Sequence, residues 1–189
     1  DGSTAITLDI YQDRLITRTE DGTALTSDNL DTANNNGDTD IDAIYTLDAS
    51  DNLTMAAGKE LFVWTGDTFA PGATIDAQGL DIRGTLNAAA NAITVAGDLA
   101  NAGTLTHTGT LTFDGTAAQS VNIGGAAIGS DVVVANTAAD VTLSTNALDI
   151  GANDLTINAS ATLVLAGNNV TATGTFSNDG TVILQLSLI

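Results

Sequence analysis

The chain has no cysteine, one proline, and only 4 lysines and arginines in 189 residues. Without cysteine there are no disulfides and no thiolate metal sites, and the redox compartment leaves no mark. With Pro71 as the single proline, turns fall to Gly and Asn, residues that tolerate positive φ. Aromatics make up 4% against 43% hydrophobic residues, so the core is expected to be Val, Ile, Leu and Ala. That hydrophobic share is also too high for a disordered chain. Four cations against 23 Asp and Glu give a formal charge of −19, which argues against nucleic acid and against anionic membrane surfaces as partners. No apolar run approaches the ~20 residues of a membrane span, so no membrane insertion is expected. From residue 84 onward there is no Lys, Arg or Glu, which argues against an enzyme that needs acid–base groups or a cation near its reacting atoms.

What remains is rich in Gly, Thr, Ala and Asn. The chain opens at Asp1 on the polar stretch DGST, as a mature exported protein does after loss of a signal peptide, and low Lys with abundant Thr, Asn and Gly suits an extracellular or cell-surface location. Residues 5–11 alternate apolar and polar, residues 14–18 supply a second strand, and residues 27–42 form a polar acidic loop. From about residue 49 the texture becomes uniform. Apolar pairs spaced two apart recur at Leu53/Met55, Leu61/Val63, Leu80/Ile82, Ile93/Val95, Leu111/Phe113 and Val121/Ile123. They continue at Val132/Val134, Val141/Leu143, Leu148/Ile150, Leu155/Ile157 and Leu163/Leu165. Each pair predicts a short strand with two inward side chains.

Residues 93–105, ITVAGDLANAGTL, align without gaps on residues 170–182, VTATGTFSNDGTV. The offset of 77 residues reads as four coils of about nineteen. The expected fold is all-β, a right-handed parallel β-solenoid (residues 49–189) with an N-terminal β arm or cap (residues 1–48). An antiparallel β-sandwich is the alternative.

The texture of about residues 80–184, above all from Ile93 to Val121, resembles the repeats of large bacterial surface proteins of the β-strand-repeat or adhesin-like kind. Gly97, Asp98, Asn101, Gly103 and Thr104 match one part of that repeat; Phe113, Gly115, Thr116, Gln119 and Val121 match the next. The resemblance implies an extracellular structural or adhesive role and defines no active site.

Candidate sites are few. His107, between two threonines, reads as a solvent-facing strand residue, and Asp98, Asp114, Asp131 and Asp140 read as turn formers. Asp38, Asp40 and Asp42 have the alternate spacing that hard cations favour, so calcium is the one cofactor considered beside none. Asn52, Asn158 and Asn169 head formal glycosylation sequons, and Lys59 reads as a charged turn residue beside Glu60.

The chain ends GTVILQLSLI, with Val182, Leu184, Leu186 and Leu188 on one face; near its start Ile6, Leu8 and Ile10 also share a face. Terminal strands this apolar invite pairing with another chain. The leading expectation is therefore a subunit of an extracellular filament or surface layer, a homopolymer joined head to tail through these strands or the solenoid ends. The alternative is a fragment of an adhesin that binds carbohydrate or a host surface, with Trp64, Tyr45 and Phe62 as its aromatics.

Overall fold

Each apolar pair becomes one inward-facing rung of a coiled stack of strands. The computed structural model describes residues 6–11, 14–19, 45–47, 50 and 52–184, and among these there is no helix. The first strands are β1 (Ile6–Tyr11), β2 (Arg14–Thr19), β3 (Tyr45–Leu47) and β4 (Leu53–Met55). Then come β5 (Glu60–Val63), β6 (Thr68–Phe69), β7 (Ile75–Ala77), β8 (Leu80–Ile82), β9 (Thr85–Ala89) and β10 (Ile93–Val95). The middle holds β11 (Leu99–Asn101), β12 (Thr104–His107), β13 (Thr110–Phe113), β14 (Gln119–Asn122), β15 (Asp131–Val134) and β16 (Val141–Leu143). The last are β17 (Leu148–Gly151), β18 (Leu155–Ile157), β19 (Thr162–Val164), β20 (Val170–Ala172), β21 (Phe176–Asn178) and β22 (Thr181–Ile183).

These strands form three walls. One has nine strands in the order β1-β2-β5-β8-β11-β14-β16-β19-β22, and one has eight, β21-β18-β15-β13-β10-β7-β4-β3. The third wall is split into β12-β9-β6 and β17-β20. From β4 onward every pairing between coils is parallel, as a strand-per-wall solenoid requires and a sandwich forbids. In the eight-stranded wall the stacked partners Leu53, Ile75, Ile93, Leu111, Val132, Leu155 and Phe176 are 22, 18, 18, 21, 23 and 21 residues apart. The solenoid thus makes about six turns. All eleven apolar pairs are buried, and their side chains stack as ladders of like residues down the axis.

The coil repeat is real, but the 77-residue correspondence does not count whole coils. Ile93 lies in the eight-stranded wall and Val170 in the split wall, whereas Leu99 and its counterpart Phe176 lie in the nine- and eight-stranded walls. The two segments are therefore related by three coils and two further walls. Strand, corner and strand look alike on every wall, so sequence similarity registers the wall spacing and not the coil.

Glycine and asparagine also divide their work differently from expectation. Gly58, Gly66, Gly72, Gly124, Gly151 and Gly167 take positive φ, as do Ala89, Ser160 and Ala166, but no described Asn does. Asparagines instead tie coil to coil: Nδ2 of Asn101 donates to Ile123 O at 2.8 Å, and Nδ2 of Asn168 donates to Leu143 O at 2.9 Å. Each such bond ties an asparagine side chain of one coil to a backbone carbonyl of a neighbouring coil. The core is not purely aliphatic either, since Tyr45, Phe69 and Phe113 are among its largest buried side chains.

Candidate functional site

At the C-terminal end the walls stop at β20, β21 and β22, with no further described strand beyond them. Phe176 continues the ladder of the buried Leu155, and Val182 that of the buried Leu163. These are core positions by register, yet Phe176 is 55% exposed and Leu184 67% exposed, with Ile183 at 40% beside them. Val182 is half-buried. Phe176 and Val182, with Leu155, Leu163, Leu165, Val170 and Ala172, line an apolar hollow of about 290 Å³. Asp179 is the one charged residue between positions 155 and 184. Large side chains without a coil above them leave apolar surface in water, which costs about 25 cal/mol per Å².

The other end is built differently. Both outer walls finish there on a reversed strand: β1 runs antiparallel to β2, and β3 antiparallel to β4. Ile10 lies opposite Leu15, Leu8 opposite Thr17 and Ile6 opposite Thr19, while Leu15 itself is in the core. Among the described strands, the outermost of the same two walls are therefore β1 and β3 at one end, β22 and β21 at the other. Of the terminal residues read from sequence, the structure brings Val182 and Leu184 to the C-terminal end; Leu186 and Leu188 lie outside the described residues.

Asp38, Asp40 and Asp42 also lie outside the described residues, among which no group of three or more metal-binding side chains occurs. Asn158 and Asn169 are exposed, whereas Oδ1 of half-buried Asn52 accepts hydrogen bonds from Thr74 N at 3.1 Å and Thr74 Oγ1 at 2.6 Å. Asp98 and Asp131 clamp adjacent coils, accepting from Ser120 N at 2.8 Å and Asp154 N at 2.9 Å. Asp114 shares a surface hollow of about 410 Å³ with Asp76 and Gln78. Burial, and secondarily the charge of Asp76, push its carboxyl above the usual range. No Lys, Arg or His lines that hollow.

His107 is not solvent-facing. It is 2% exposed, on the same side of β12 as Leu105, where the split wall is interrupted between β12 and β17. Its Nε2 lies 2.7 Å from the Asn91 carbonyl oxygen, which can only accept, so Nε2 carries the proton. The Ser130 hydroxyl, 2.6 Å away, then donates to Nδ1. Ser130 is fully buried, so this contact plugs a break in the wall and does not present a nucleophile.

Burial lowers the His107 pKa, against a smaller raising effect of the Asn91 bond. A lowered folded pKa means that the unfolded chain binds more protons below about pH 6.5, so this contribution is complete above that pH and is lost as pH falls toward the folded value. Asp114 and Glu60, both raised chiefly by burial, act in the opposite direction at lower pH. Urea titrations at pH 7.5 and 5.5 should therefore show that the wild type loses more stability on acidification than His107→Gln does. Equal losses would mean that the imidazole does not resist protonation.

Sequence reading missed Ser130 and gave Gln119 no structural role. Gln119 is 2% exposed and bonds to Val95 O, Gly97 O, Gly115 N and Asn136 Nδ2. Its place two residues before Val121 was the available signal. No protein-family model, curated protein or solved structure matches the chain.

Proposed function

We propose that this protein is a structural, non-catalytic rod of the cell exterior that assembles with copies of itself by stacking solenoid ends. One observation carries the reading: Phe176 and Leu184 are exposed and Val182 only half-buried at an end beyond which no further described strand lies. The favoured occupant is the N-terminal end of a second copy. Because β1 and β3 both run against the coil, joining β22 to β1 and β21 to β3 of the next copy gives antiparallel pairing in both walls at once. Such a contact is heterologous and repeats along the axis. The near-absence of charge in the last coil spares the junction most of the repulsion expected between chains of −19. The lysine-poor composition, rich in Thr, Asn and Gly, supports the exterior location.

Light scattering coupled to size exclusion, with negative-stain microscopy, tests the junction. The wild type should form linear oligomers that lengthen with concentration. Phe176→Asp and Leu184→Asp should remain folded by circular dichroism and run as monomers, because burying a carboxylate at the junction costs several kcal/mol. A wild type that stays monomeric at high concentration overturns the reading, as do oligomers indifferent to both substitutions.

A further inference from the structure

The four cations of this acidic chain are Arg14, Arg18, Lys59 and Arg83. All lie on or next to three adjacent strands of the nine-stranded wall, β2, β5 and β8. The same place holds the chain's single tryptophan, Trp64, 42% exposed in the turn after β5. Phe62 lies 5.7 Å from it, ring centroid to centroid, with the planes tilted by 54°. The Arg14 guanidinium sits 5.4 Å from the Phe62 centroid on that ring. Phe62 is thus braced between a cation and the indole, which stays partly exposed.

Charged groups surround this platform in matched pairs. Arg14 Nε lies 2.5 Å from Glu60 Oε2. Arg83 donates to Asp81 through Nε at 2.7 Å and Nη2 at 3.1 Å, and its backbone N–H bonds to Val63 O, next to Trp64. Asp81 takes two of the five donors of Arg83, and roughly half of each arginine side chain stays exposed. A flat indole bordered by two ion pairs offers a face for stacking together with fixed donors and acceptors. Sugar rings have one apolar face of C–H bonds and a rim of hydroxyls that donate and accept, which is the complement of that surface. Polyanions would meet the −19 field of the whole chain, and neutral ligands would not.

We infer that Trp64, flanked by the Arg14–Glu60 and Arg83–Asp81 pairs, is a binding platform for a neutral polysaccharide. Trp64 stacks on a sugar ring, and Arg83 and Arg14 hold hydroxyls at its edge. The site lies on the outer face of the nine-stranded wall at β2, β5 and β8, whereas the proposed junction pairs the outer edge of β1, so the two are tested separately.

Native affinity electrophoresis in gels cast with soluble β-glucan, xylan, galactomannan or alginate tests the proposal. Tryptophan emission on titration with the same polymers provides a second readout, because a single indole reports on its own site. One or more of the neutral polymers should retard the wild type and shift its emission. Trp64→Ala should weaken retardation on the order of tenfold. Trp64→Phe should keep most of it, and Arg83→Gln should weaken it without unfolding the chain. The inference is overturned if no neutral polymer retards the protein, if alginate alone does, or if Trp64→Ala binds as the wild type does.

Discussion

Replacing Gly103 by alanine will lower the thermal midpoint by about 6–12 °C, the equivalent of roughly 3 kcal/mol in a chain of this size. A Cβ on Gly103 would stand 2.0 Å from the Gly84 carbonyl oxygen of the coil beneath, and one on Gly84 would stand 2.1 Å from Trp64 O. Both obstacles are backbone, so no rotamer change relieves them. The obstructing Gly84 oxygen also accepts the hydrogen bond from Thr104 N at 2.8 Å, while Gly103 N bonds to Ile82 O at 3.0 Å. Moving the coils apart to admit a methyl group therefore breaks ladder bonds as well. Gly125→Ala is the internal control: nothing lies within 4 Å of its Cβ position and its φ is not in the left-handed region. That variant should match the wild type within about 0.5 kcal/mol or gain slightly from the lost freedom of the unfolded chain. Circular-dichroism melts of the two variants decide the matter, and similar midpoints would show that the corner glycines are not spacers between coils.

How far the sequence discloses the fold depends on parity along each strand. Leu111/Phe113 and ten other pairs predict inward rungs, and all are buried, because a period of two survives even in strands of three residues. The same parity extends to polar residues. Asn101, His107, Gln119, Ser130 and Asn136 are buried, and each sits two residues from an inward apolar neighbour: Leu99, Leu105, Val121, Val132 and Val134. His107 between threonines resembles a surface residue only if Leu105 is ignored. Wall identity is far less legible, because every wall shares one short grammar of strand and corner; the match between residues 93–105 and 170–182 shows the result. The uncovered end was half legible. The apolar run Val182–Leu184 stands out in sequence, whereas the exposure of Phe176 follows from β21 being the last described strand in its wall, a fact of stacking order. Of the Trp64 platform the sequence discloses only the aromatics Trp64 and Phe62, since Arg14 and Arg83 join it across 69 positions through two strand pairings.

Gln119→Leu should be the most damaging single change to the interior, at about 4 kcal/mol. The wild-type amide donates through Nε2 to Val95 O at 2.8 Å and Gly97 O at 2.7 Å, and its Oε1 accepts from Gly115 N and Asn136 Nδ2, each at 3.1 Å. Leucine has nearly the same volume but leaves the Gly115 N–H and the side-chain-bonded carbonyls with fewer partners in a water-poor corner, where each lost partner costs about 1–3 kcal/mol. Gln119→Glu separates this from a packing effect. A carboxylate still accepts from Gly115 and Asn136 but points a charge at two carbonyl oxygens, so its folded pKa must rise above the ordinary value near 4.3. Once protonated it can again donate to one of those oxygens. By linkage, the deficit of Gln119→Glu is smallest below about pH 4 and grows as pH rises toward the folded pKa, whereas that of Gln119→Leu does not follow this titration. Urea denaturation of both variants and the wild type from pH 3.5 to 7.5 measures the difference directly. Parallel profiles for Glu and Leu would mean that the amide fills space at this corner rather than holding three adjacent coils together through its hydrogen bonds.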